Sequence, residues 1–143
     1  MSNLNTLLKQ LKADHPKLLF KKSERFTFQP PNTILYCAKT ERPDLQLLHE
    51  LGHYLNHDTD YTSDIALLRI ESNAWATAKK LAIKYHIGWD EDFIQVKLDS
   101  YRDWLHSASL CPICQINGYQ SGQNYHCPLC GKFWPRNATP DQV

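Results

Sequence analysis

The sequence predicts an α+β protein in which short strands are followed by helices, and the helices by a small cysteine-built module. Three observations predict it. Apolar residues recur at helical spacing at the start of the chain and again over three later stretches. Thr33-Ile34-Leu35-Tyr36-Cys37-Ala38 is a β-branched and aromatic run of strand type. A Cys-Pro-x-Cys pair occurs twice after residue 110. The expected division is residues 1–106 as one domain and residues 107–143 as a cysteine module with a short C-terminal tail, a division that 143 residues can accommodate.

Each element has a local reason. Residues 2–13 carry Leu4, Leu7, Leu8 and Leu11 on one helical face, and Asp14-His15-Pro16 ends the helix because the residue before proline avoids helical geometry. Leu18-Leu19-Phe20 and Phe26-Thr27-Phe28 are short strand candidates, with the polar Lys21-Lys22-Ser23-Glu24-Arg25 between them. The strand over 33–38 follows Pro30-Pro31-Asn32. A helix starting at Thr40 or Asp44 and reaching His57 places Leu48, Leu51 and Leu55 on its core stripe; Pro43 is tolerable in a first turn. Gly52, a poor helix former, is expected where another backbone approaches closely. Thr62, Ser63 or Asp64 caps the next helix, which runs from about Ile65 to His86 with Gly88 as its terminator. Asp92 to His106 fits a further helix, with Phe93, Val96 and Tyr101 among its apolar residues.

His49-Glu50-Leu51-Gly52-His53 is an HExxH pattern within the second of these helices. Residues four apart on a helix share a face about 6 Å apart, so the two imidazoles can hold one zinc ion. Glu50 then stands where it can take a proton from zinc-bound water. The next helix adds Glu71, the one charge on a stripe of Leu67, Ala74, Ala78, Leu81, Ala82 and Tyr85. A carboxylate on a buried face needs a partner or a metal, and zinc held by two imidazoles lacks one protein ligand. Seventeen residues separate His53 from Glu71, room for a helix end, a loop and two turns. Asp60 and Asp64 compete as third ligand, and Glu71 has a structural alternative in pairing with Arg69, Lys79 or a core hydroxyl. His57 on a continuous helix lies about 12 Å from His49, too far to share the ion.

Cys111-Pro112-Ile113-Cys114 and Cys127-Pro128-Leu129-Cys130, twelve residues apart, read as a closed tetrahedral zinc site in a reducing compartment, with a rubredoxin-like iron as the alternative. Gly131 permits the knuckle turn that points amides at sulfur. Tyr119 and Tyr125 flank the hairpin signal Ser121-Gly122-Gln123-Asn124, and Phe133 and Trp134 are expected to cover the site. So small a segment relies on its metal for folding energy. Cys37 is left over as a small buried hydrophobe.

These residues resemble the ImmA/IrrE family of metallopeptidases, on His49-Glu50-Leu51-Gly52-His53-Tyr54-Leu55 with His57, on Glu71 with Ala74 and Ala76, and on the strand Ile34-Leu35-Tyr36. The resemblance covers roughly residues 1–106. It implies a compact zincin-like core, a small sheet whose edge strand binds substrate above two helices that supply the ligands. Members typically cleave or antagonise repressors of phages and mobile elements, or act in stress-response switches. Many carry an N-terminal helix-turn-helix, for which this chain has no room; it has a cysteine module instead.

The expected function is therefore a zinc-dependent endopeptidase of gluzincin type acting on a repressor-like regulatory protein. His49, His53 and Glu71 would hold the catalytic zinc, Glu50 would be general base and acid, and Cys111, Cys114, Cys127 and Cys130 would hold a structural zinc. The second oxyanion donor stays open among Tyr36, Tyr54, Tyr61, His57 and His86. The alternatives are a catalytically silent antirepressor and a nucleic-acid-binding protein dominated by the ribbon. Nucleic acid is the disfavoured partner, because Lys132 and Arg136 are the only basic side chains from residue 107 onward. The net charge of +1 argues neither way. No apolar run approaches the roughly 20 residues of a membrane span, and the N-terminus lacks the build of a signal peptide, so the expected location is the cytoplasm. The sequence does not set the oligomeric state.

Overall fold

The computed structural model describes residues 3–136; the short C-terminal tail expected at the end of the cysteine module falls on residues outside them. Its elements run α1 (Asn3–Asp14), β1 (Leu19–Lys22), β2 (Thr27–Gln29), β3 (Thr33–Tyr36), α2 (Pro43–Leu55), α3 (Asp64–Lys84), α4 (Glu91–Ala108), β4 (Tyr119–Ser121), β5 (Asn124–His126) and β6 (Phe133–Pro135). The class is α+β, as expected. Two compact units emerge, Met1–Thr59 with Ser72–Asp90, and Asp60–Glu71 with Glu91–Val143. No helix among the described residues is long and apolar enough to cross a membrane.

In the first unit β3 is the central strand, parallel to β1 and antiparallel to β2. Its alternation sends Ile34 and Tyr36 inward, the period a half-buried strand requires. Leu4, Leu7, Leu8 and Leu11 of α1 are all buried, and so is Cys37. On α2, Leu45, Leu47, Leu48 and Leu51 are wholly buried. Gly52 performs the role its position predicted, because a Cβ there would stand 2.6 Å from the Ala74 carbonyl oxygen of α3. The helices touch backbone to backbone at that point, and alanine does not fit.

The start of α2 departs from ordinary capping. Arg42 sits at the N-cap in the left-handed region (φ 43°) and makes no side-chain cap, while Pro43 takes the first helical position. The Arg42 guanidinium instead donates to Asp44 and, at 2.6 Å, to the Gly88 carbonyl oxygen. That contact ties the start of α2 to the segment after α3.

Both α2 and α3 end on a left-handed histidine. His57 (φ 58°) follows α2, with its N–H on Tyr54 O at 3.1 Å and the Asp58 N–H on His53 O at 3.0 Å. His86 (φ 57°) follows α3, and the Ile87 N–H reaches Ala82 O at 2.8 Å. This is the Schellman pattern with histidine in the place glycine usually takes. Gly88 was expected to stop α3, but the helix stops at Lys84, with His86 making the turn.

The second unit joins the first turns of α3, α4 and the sheet β4-β5-β6. Ser63 caps α3 through Oγ on the Ala66 N–H at 3.2 Å. Asp64, wholly buried, accepts from the Tyr125 hydroxyl at 2.5 Å and from the Arg136 guanidinium. The Asp64 N–H donates to Gln120 Oε1 at 2.8 Å. On α4 the buried apolar residues are Phe93, Ile94, Leu98 and Ala108, and Val96 is exposed. The Trp134 indole N–H donates to the Ala108 carbonyl at 2.9 Å, fixing β6 to the end of α4.

Candidate metal centres

Among the described residues, two groups of side chains could each hold a metal ion: His49 with Glu50 and His53, and Cys111 with Cys114, Cys127 and Cys130. In each group the ligand atoms lie within 4.8 Å of one another.

α2 builds the first group by helix geometry alone. His49, Glu50 and His53 are all buried, at 7%, 7% and 8% exposure, so this is no solvated helix face carrying two histidines. The Nε2 atoms of His49 and His53 face each other at 3.1 Å. Two nitrogens at zinc–nitrogen bond length on a tetrahedral ion stand about 3.3 Å apart, so the pair needs only a few tenths of an ångström to fit. His53 Nδ1 meets Asp58 Oδ2 at 3.0 Å. Assigned from that partner, Nδ1 carries the proton and Nε2 presents its lone pair towards His49. His49 is held differently. The Trp75 indole stacks on its ring, with centroids 4.1 Å apart and planes 26° from parallel, and Trp89 meets Trp75 edge-on.

Glu71 is buried on α3, and the stripe that singles it out is buried throughout, from Leu67 to Tyr85. Of its competitors, Asp64 has both carboxylate oxygens engaged by Tyr125 and Arg136, and Asp60 lies on an exposed loop. His57 is exposed and serves the helix end.

The cysteine group is made by two near-identical knuckles. The N–H groups of Ile113 and Cys114 point at Cys111 Sγ, each at 3.4 Å, and those of Leu129 and Cys130 point at Cys127 Sγ at 3.4 and 3.5 Å. Each first cysteine donates its own N–H five residues on, Cys111 to Ile116 O and Cys127 to Lys132 O, both at 2.8 Å. Each knuckle closes through a left-handed residue, Gln115 (φ 60°) in one and Gly131 (φ 77°) in the other. Cys111 and Cys130 sulfurs are 3.7 Å apart, against about 3.8 Å for two thiolates on a tetrahedral zinc. The Cys130 and Leu129 amides hold the Cys127 thiol down at about 7, while contact with the Cys130 sulfur pushes Cys114 up to about 12.

Hairpin pairing of Ser121 with Asn124 across Gly122 (φ 63°) follows the expected turn. The expected cover is corrected. Phe133 is 62% exposed and lies tilted beside the His126 ring, while Trp134 is half-buried and stacks on Tyr125. Adjacent residues of a strand face opposite ways, so the two rings cannot share one side.

Sequence reasoning missed Asp58, Trp75 and Arg136. Trp75 had a signal, being four residues after Glu71 and so on its face of α3. Asp58 had none, because its contact depends on a left-handed His57 that nothing in the sequence marks.

The fold and its side chains define an α+β chain with, among the described residues, one His/Glu group on a helix and one four-cysteine group that could each hold a metal ion. No family model, curated protein or solved structure matches it.

Proposed function

We propose that the chain is a zinc endopeptidase with a zincin-like core, related to the ImmA/IrrE metallopeptidases, acting on a repressor-like regulatory protein. The observation that carries this reading is the buried pairing of His49 and His53 Nε2 atoms at 3.1 Å with a buried Glu50 on the same helix. Glu71 is the proposed third protein ligand, as the one carboxylate on the buried stripe of α3, one turn before the Trp75 that stacks on His49. A zinc ion bound there would polarise a peptide carbonyl and make water acidic enough to attack near neutral pH. His49 and His53 contribute neutral imidazoles and Glu71 a negative charge. Glu50 takes a proton from the attacking water and passes it to the departing amine, so it begins and ends the cycle as a carboxylate.

The four-cysteine group is proposed as a second, structural zinc site, since four thiolates leave no position for substrate. Its donor chemistry suits a reducing compartment, which is the basis for proposing the cytoplasm. Protein docking or stabilisation suits the ribbon better than DNA binding. Arg136 spends its charge on Asp64, which leaves Lys132 as the exposed base among residues 107–136.

Glu50→Gln tests the reading. Zinc content should be unchanged while cleavage of a candidate repressor, followed by mass spectrometry, falls by about 10²–10⁴-fold. Glu71→Ala should weaken metal binding at the histidines and leave the thiolate-bound ion in place. If wild type and Glu50→Gln relieve repression equally and no cleavage is seen, the protein acts by binding and the endopeptidase assignment fails.

A further inference from the structure

The two imidazoles of the proposed centre are each held by a group that the peptidase mechanism does not use, and each is held in a different way. Asp58 Oδ2 lies 3.0 Å from His53 Nδ1, placed to accept a hydrogen bond from its N–H, and the carboxylate is itself mostly shielded, at 18% side-chain exposure. Trp75 lies face to face with His49 at 4.1 Å and is 4% exposed. The two histidine rings stand 78° apart, so one support acts along the edge of its ring and the other on a face.

We propose that Asp58 and Trp75 are the positioning residues of this centre, Asp58 fixing the tautomer and direction of His53 and Trp75 fixing the plane of His49. This rests on the reading of His49 and His53 as metal ligands. For His53 the reason is protonic. With Nδ1–H committed to a carboxylate, Nε2 has no proton to lose before it can bind a metal, and the negative charge makes the ring a better donor. For His49 the reason is steric and electronic. A ring stacked on an indole within a buried site has one torsional choice left, and a bound metal draws density out of the imidazole. An electron-rich indole face favours the partial positive charge that results. The local folding explains why both supports arise. The left-handed turn at His57 brings Asp58 back over the last turn of α2, and close approach of α2 and α3 at Gly52 and Ala74 seats Trp75, the next residue, against His49.

The test uses the full chain with zinc in the thiolate shell, cleared at the histidines by mild chelation and titrated with Co²⁺. Cobalt at a nitrogen and oxygen site lacks the sulfur charge-transfer absorption of a thiolate site, so the two sites are told apart by spectrum. Asp58→Ala and Trp75→Leu should each weaken cobalt binding by about tenfold or more. Asp58→Asn, which can still accept from Nδ1–H, and Trp75→Phe, which still stacks, should recover most of it. Retained thiolate-bound zinc and an unchanged far-ultraviolet helix signal confirm folding. Should Trp75→Leu fail that control, proton NMR of the wild type decides. The His49 ring protons should be shifted upfield by the indole, and should stay so when zinc is added.

Equal cobalt affinity in wild type, Asp58→Ala and Trp75→Leu overturns the positioning roles while leaving the metal centre standing. Loss of the upfield shift on adding zinc overturns the role of Trp75. If the wild type binds no cobalt outside the thiolate shell, the ligand reading of His49 and His53 fails, and the positioning roles go with it.

Discussion

His49, Glu50 and His53 come from five consecutive residues of one helix, α2. Cys111, Cys114, Cys127 and Cys130 come from two turns, the second between two three-residue strands of a three-stranded sheet. In the first group the fold makes the site: burial of Leu45, Leu47, Leu48 and Leu51 holds α2, and the imidazoles are carried along with it. In the second the site must help to make the fold, because so few buried side chains cannot offset the entropy of ordering the segment. The exposures differ accordingly. The helix group is buried at all three positions, while Cys130 is exposed and Cys114 half-buried. A buried helix face shields the side chains it carries, whereas two surface knuckles leave part of theirs in contact with solvent.

The contrast is broken most directly by taking the metals away. Stripping the proposed zinc from the thiolates should unfold the segment around β4–β6, since a structural zinc contributes about 10 kcal/mol or more to such modules. Stripping the histidine site should leave helix content unchanged. Circular dichroism and amide exchange, read beside metal analysis, separate the two; melting of α2 on mild chelation would show that both sites fold their surroundings.

A smaller effect is expected at Gly52. Gly52→Ala pushes a methyl group against the Ala74 carbonyl and should cost about 1–3 kcal/mol, seen as a lower Tm. The loss should appear with the histidine site empty or full, because it acts on the packing of α2 with α3. A loss that appears only with metal bound would mean that the ion, rather than packing, sets that approach.

The smallest effects sharpen the comparison of turns. His57→Gly at the end of α2 and Gln115→Gly in the first knuckle each remove a side chain from a left-handed residue. Each should stabilise by about 0.5–1 kcal/mol in thermal unfolding. Gly131→Ala, at the matching place in the second knuckle, should destabilise by a similar amount. If Gln115→Gly destabilises instead, the two knuckles are not equivalent.

How far the sequence could be read depends on whether a feature is local. The buried stripe of α3, the close approach at Gly52 and the hairpin at Gly122 follow from helical period, from a glycine in an awkward place and from a turn signal. They are found where expected. The two clusters were legible for the same reason, as fixed spacings on a helix and on knuckles. What escaped were contacts set by an unmarked backbone conformation or by distant pairing. His86 rather than Gly88 turns the chain after α3, because histidine can adopt a left-handed geometry that its identity does not announce. Arg136 looked like a free basic residue until Asp64 was found beside it.

That Asp64 contact has a consequence for the order in which the chain assembles. The residues that engage its carboxylate, Tyr125 and Arg136, are 61 and 72 positions further along the chain. On the ribosome, α3 therefore emerges well before the groups that satisfy its first turn, and Asp64 must wait in water until they arrive. Contacts of such sequence separation form late, since a long loop has to close before they stabilise anything. At ordinary elongation rates of roughly 5–20 residues per second, the wait lasts several seconds. Through that interval the first turn of α3 lacks the two side chains that engage its carboxylate in the folded chain.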